Sequence, residues 1–200
     1  MVNAEGYKSP ADSSDVVSPV KLAHFVIRTS RYEEILDWYT TALGAHTVFR
    51  NEQLAFLTYD DEHHRIAILN MPGLSDQPDG IVGIHHVAFT YRSLGELLQN
   101  FVRLRNSSIL PALSINHGPT TSLYYVDPDG NQLEFQVENF ETVEESTEFF
   151  HSEEFARNPI GVEFDPDDLI ARMEAGSLER ELLKRPESKG VTLSEVTALR

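Results

Sequence analysis

No cysteine occurs among the 200 residues. That excludes disulfides, thiolate metal sites and a cysteine nucleophile, and it fits an intracellular, cytoplasmic protein. Basic residues are scarce: 16 Lys and Arg face 32 Asp and Glu, for a net charge of −16. Nucleic acid and anionic membranes both demand a basic face, so neither is an expected partner. The bland reading of this acidity is solubility. Long apolar runs are also missing. Nothing approaches the roughly 18 residues of a membrane span, and the opening MVNAEGYKSPADSSD has no apolar stretch of the signal-peptide kind.

What is present suits a packed core: 40% of the residues are hydrophobic. Residues 1–19 are polar and rich in Ser, Asp and Pro, and read as a flexible tail dispensable for folding. From Val20 the pattern changes. VKLAHFVIRT is a β-branched and aromatic run that reads as a strand. Ser30 and Glu33 have the spacing of a capping box. Ile35, Trp38, Tyr39, Ala42 and Leu43 then recur with helical period, and Gly44 stands where a helix stops. HTVFRN, LAFLTYD and HRIAILN follow as three short strands.

The plan then repeats. GIHHVAFT reads as a strand, and Ser93 and Glu96 as a second capping box. Leu97, Leu98, Phe101 and Leu104 form the apolar face of a second helix. PALSIN, TSLYYVD and NQLEFQVEN complete the series, with Asp129-Gly130 as the turn before the last. The expected architecture is therefore α+β: two βαβββ modules, about 20–72 and 81–140, paired into one open barrel-like sheet around a cavity. Residues 141–200 form an acidic helical extension, read as a cover or as the interface of a homodimer. In it Asp165 caps a helix with Pro166 at its first position and Gly176 at its end, and a short helix covers Leu178 to Lys184.

Two histidines occupy matching places in the repeat. HFVIRT and HVAFTY align, which pairs His24 with His86. In the last strand Leu133, Phe135 and Val137 share one face, so Glu134 points to the other. A lone strand histidine is usually a satisfied core residue, and a lone glutamate is usually half of an ion pair. Together, two imidazoles and one carboxylate make one face of an octahedron and leave positions open, the donor set of non-haem Fe(II) oxygenases. His24, His86 and Glu134 are thus the expected metal ligands. Fe(II) is the expected ion, and Mn(II), which accepts similar donors, is the alternative.

GIHHVAF and YYVDPDGNQLEF resemble the vicinal oxygen chelate superfamily of glyoxalases, extradiol dioxygenases and bleomycin-resistance proteins, over roughly 21–138. The resemblance implies that Glu134 is the carboxylate ligand. LTYDDEHHRIAIL and NHGPTTSLYY resemble the extradiol, catechol-cleaving branch, which places catalytic roles on His64, His117 and Tyr124. Tyr124 stands ten residues before the glutamate (134 − 124 = 10), and Tyr125 stays open. The ordinary alternatives are a polar strand start for His63-His64 and a packed strand tyrosine for Tyr124. His46, His85 and His151 receive no role. Glyoxalase I enzymes add a fourth ligand on the last strand of the first half. That place is approximately Ile66 here, which favours oxygen chemistry. The implied activity is ring cleavage of a catechol-like aromatic by O2. The alternatives are a non-redox lyase, isomerase or epimerase, and a small-molecule binding protein.

Overall fold

Two runs of the same element order follow one another in the computed structural model, which describes residues 16–78, 80–187 and 190–197. Most of the expected tail, residues 1–15, lies outside the described residues. Module 1 holds β1 (Phe25–Thr29), α1 (Tyr32–Leu43), β2 (His46–Arg50), β3 (Leu54–Thr58) and β4 (Ile66–Asn70). Module 2 holds β5 (His86–Thr90), α2 (Leu94–Asn106), β6 (Leu113–Asn116), β7 (Thr120–Val126) and β8 (Gln132–Glu138). The extension adds α3 (Val143–Phe149), α4 (Glu153–Arg157), β9 (Val162–Glu163), α5 (Pro166–Glu174), α6 (Glu179–Leu182) and α7 (Leu193–Thr197).

Local chemistry explains most boundaries. Gly44 ends α1 in the left-handed conformation, φ +62°, where a side chain would be strained. Ser93 caps α2 by accepting from the Glu96 N–H at 3.1 Å. The return contact of a capping box is displaced, because Glu96 accepts from the Arg92 N–H instead. The box expected at Ser30 and Glu33 does not form. Arg31 is the N-cap of α1 without a side-chain cap, and its guanidinium is committed to Asp129 and Asp76. Asp165 accepts from the Asp167 N–H and starts α5, with Pro166 in the first turn as expected. The short helix after Gly176 is only Glu179–Leu182.

The expected single barrel-like sheet is corrected: the described strands form two sheets. Their orders are β1-β4-β3-β2 and β5-β8-β7-β6-β9. In each module the first strand pairs parallel with the last, and the remaining core pairs are antiparallel. The modules meet through side chains rather than strand edges. One buried cluster contains Ile27, Ile35, Leu57 and Ile66 together with Leu97, Leu123 and Phe135, and the Phe25 and Phe89 rings lie 6.1 Å apart across the junction. Arg103 of α2 donates to the Thr41 and Ala42 carbonyls at the end of α1, a cation meeting the negative end of a helix dipole.

A buried hydroxyl also ties the modules. Tyr39 of α1 donates to Asp127 Oδ2 at 3.0 Å, and Asp127 further accepts from the Asp129 and Asn131 backbone N–H groups in the β7–β8 turn. Hydrogen bonds to a charged partner contribute roughly 1.5–3 kcal/mol. Tyr39→Phe should therefore destabilise the fold by about 1–3 kcal/mol and lower the melting temperature by several degrees. Unchanged thermal unfolding would contradict this tie.

The extension is not purely helical. Its β9 pairs antiparallel with β6, Asn116 opposite Val162, and becomes the fifth strand of the module 2 sheet. Val191 and Val196 pack with Ile115 and Tyr124 on that sheet. Phe149 lies directly over Gly118, where an added Cβ would meet its ring at 2.2 Å.

Candidate metal and catalytic site

Strand register builds the site in module 2. Tyr124 stands opposite Glu134 in the β7–β8 ladder, and Ala88 of β5 flanks Glu134 on the other side. Because side chains alternate, Glu134, Tyr124 and Ser122 share the face turned away from α2. Tyr125 takes the opposite face, its ring 5.0 Å from Phe135. Of the two tyrosines, Tyr124 is the one on the Glu134 face.

Glu134 is only 5% exposed. His86 Nε2 lies 2.9 Å from its Oε2, and His117 Nε2 lies 3.7 Å from its Oε1. Burial pushes the Glu134 carboxyl up. Hydrogen bonds with His86 and Ser122, and the His117 imidazole, outweigh that and hold it below the usual range. The Tyr124 hydroxyl lies 3.0 Å from His117 Nε2. Burial first, and the Glu134 charge second, push the Tyr124 phenol far above its usual range, so it stays protonated. Burial also lowers His117, against the opposing pull of Glu134.

His117 is placed by the turn into β7. Its N–H donates to the Thr120 carbonyl, and the next residue, Gly118, has φ +103°. Asn116 Oδ1 secures that glycine N–H at 2.9 Å.

The other two predicted residues lie together in module 1. His24 directly precedes β1, and His64 lies two residues before β4. Their ring centroids are 4.4 Å apart, and His64 stacks on Phe56 at 4.6 Å. Burial, then the neighbouring His24 and His63, lower the His64 pKa. Thus His86, Glu134, His117 and Tyr124 form one group and His24 and His64 another. Among the described residues, no three His, Cys, Asp or Glu side chains converge as a metal centre. The donor chemistry of His86 and Glu134 fits a divalent ion, with His24 the remaining imidazole at the equivalent position.

The fourth-ligand position needs correction. Ala88 opposite Glu134 corresponds to Val26, two residues beyond His24 as Ala88 is two beyond His86, and Val26 pairs with Ala67. The equivalent of Glu134 is Ala67, not Ile66, which is buried in the helix-side core. Neither residue can ligate a metal.

Two contributors escaped the sequence reading. Ser122 lies two residues before Tyr124 on the same strand face, so alternation alone would have marked it. The Ile160 carbonyl, which accepts from His117 Nδ1, carries no sequence signal because a backbone group has none.

The sequence matches the model of the Glyoxalase/Bleomycin resistance protein/Dioxygenase superfamily over residues 21–135. It is 45% identical over 167 residues to biphenyl-2,3-diol 1,2-dioxygenase 3 of Rhodococcus globerulus, covering 82% of this chain and 88% of that protein. It is 46% identical over 158 residues to biphenyl-2,3-diol 1,2-dioxygenase 2 of the same organism, covering 78% and 83%. Among solved structures it resembles a glyoxylase/bleomycin resistance protein/dioxygenase domain from Frankia sp. EAN1pec. The TM-score is 0.52 at 17% identity, covering 60% of this chain and 93% of that one, a likeness of fold.

Proposed function

Because the chain belongs to the Glyoxalase/Bleomycin resistance protein/Dioxygenase superfamily, we propose that it is an extradiol dioxygenase that opens a catechol-like aromatic with O2. The observation that carries this reading is the identity of 45% to a biphenyl-2,3-diol 1,2-dioxygenase across most of both chains. A 2,3-dihydroxybiphenyl-like diol is the substrate class that follows. The site chemistry agrees. A buried carboxylate beside the His86 imidazole supplies two donors that suit a divalent cation, and a phenol held protonated beside them can donate to developing charge.

His86 and Glu134 would hold the metal, with His24 as third ligand and Fe(II) as the ion. Such a metal, when bound, acidifies the catechol hydroxyls and makes O2 reactive. The protein's own groups do the rest. His64 takes a proton from a substrate hydroxyl on its ring nitrogen and returns it to the product side of the reaction as a general acid. Tyr124 donates to an oxygen on which negative charge builds, and His117 Nε2, beside it, accepts a proton from Tyr124 or from a substrate hydroxyl. Absence of a fourth donor at Ala67 leaves room for substrate and O2 together.

Anaerobically purified protein should contain Fe(II) and consume O2 when given 2,3-dihydroxybiphenyl. His24→Ala should lose the metal, as measured by elemental analysis. Full occupancy in that variant would remove His24 from the ligand set, and absence of O2 uptake by the parent with any catechol would overturn the activity.

A further inference from the structure

The extension meets the His117 ring through a backbone atom. The carbonyl oxygen of Ile160 accepts from His117 Nδ1. A carbonyl can only accept, so this nitrogen carries the proton, and in the neutral ring Nε2 is left as a bare acceptor. That acceptor is the nitrogen facing Tyr124 at 3.0 Å. The Tyr124 hydroxyl proton therefore has two acceptors, Glu134 and His117 Nε2.

The Ile160 carbonyl is itself held. Asn158 Oδ1 accepts from the N–H groups of Ile160 and Gly161, at 3.2 and 2.9 Å. Asn158 Nδ2 donates to the Gly161 carbonyl at 2.7 Å, and the Asn158 carbonyl accepts from Arg185. Gly161 has φ +124°, and a Cβ there would meet the Asn116 carbonyl at 2.6 Å and His117 Cα at 3.0 Å. The segment is thus pressed against the backbone that carries His117, with β9 pairing β6 immediately beyond.

We infer that Asn158 is a positioning residue: through the Ile160 carbonyl it fixes the His117 ring in its Nδ1–H tautomer, keeping Nε2 free to accept from Tyr124 or from a protonated substrate oxygen. This rests on the dioxygenase reading for its catalytic consequence but not for its structural one. The extension then serves as part of the reaction site in addition to covering a sheet. Outer partners that orient a metal-bound imidazole typically change activity 10–100-fold when removed, and the lower end is expected for a ring that does not itself hold the metal.

The test uses full-length protein labelled with 15N-histidine, purified without added metal, with the His117 signals identified by their loss in His117→Gln. Long-range 15N–1H correlation reports which ring nitrogen is protonated. The parent should show His117 as Nδ1–H. Asn158→Ala should shift it toward Nε2–H and lower kcat on 2,3-dihydroxybiphenyl about tenfold, with KM changed less than about threefold. Asn158→Ser, whose hydroxyl can make the same turn more weakly, should restore most of both. A parent ring already in the Nε2–H form would overturn the proposal, whatever the variants do. So would an Asn158→Ala protein that keeps the Nδ1–H signal. Failure of the dioxygenase reading would appear instead in the parent's turnover, which the ring spectrum does not use.

Discussion

Glu134→Gln should abolish both stoichiometric metal binding and ring cleavage while leaving a folded protein. The amide matches the carboxylate in shape and can still meet Ser122, so β8 keeps its packing between β5 and β7. It carries no negative charge to balance a cation. In the parent, burial acts against ionisation of Glu134, yet its hydrogen bonds with His86 and Ser122 keep it ionised. Replacing a buried charge by a neutral isostere removes a desolvation penalty along with an attraction, so the net change in stability should be small. Elemental analysis, oxygen uptake and thermal unfolding measure the three consequences. Parental metal content with parental turnover would show that this carboxylate is not a ligand.

His64→Phe should separate the two effects: retain the metal and lose turnover. His64 stacks between His24 and Phe56, with ring centroids at 4.4 and 4.6 Å. A phenyl ring preserves that stacking and leaves the His24 position intact. What disappears is a proton acceptor. A general acid–base group typically contributes about 10²–10⁴-fold in rate, and a loss in that range is the expected effect. Catechol affinity should change far less, because a bound metal would supply most of the hold on the hydroxyl oxygens. Anaerobic titration followed by catecholate absorbance reads binding, and an oxygen electrode reads turnover. A variant that turns over at the parental rate would remove His64 from the proton transfers.

The repeat was legible because its signals are local. Helical period in α1 and α2, Gly44 at the end of α1 and strand alternation in β8 each act within a few residues, and all appear as read. Alternation also turned Glu134 away from the face of Leu133, Phe135 and Val137, and only the ladder register sets Tyr124 opposite it. Errors arose where a one-residue difference matters. Aligning Ile66 with Glu134 slips the register by one, and a slip of one turns a strand residue to the opposite face. The Ser30 cap does not form: Arg31 takes the N-cap position, and its guanidinium meets distant acidic partners that no local motif reveals. The two-residue β9 is too short for any periodic signal, and its pairing spans from Asn116 to Val162. Joining of the modules depends on packed side chains far apart in sequence, so one continuous sheet could not be distinguished from two.

The most direct measurement is ring cleavage under 18O2. Protein purified anaerobically and loaded with Fe(II) is given 2,3-dihydroxybiphenyl and labelled dioxygen, and the product is examined by mass spectrometry. The account predicts a ring-opened product carrying both labelled atoms, with one O2 consumed for each diol. A product carrying no label, or an isomerised substrate formed without oxygen consumption, would contradict it.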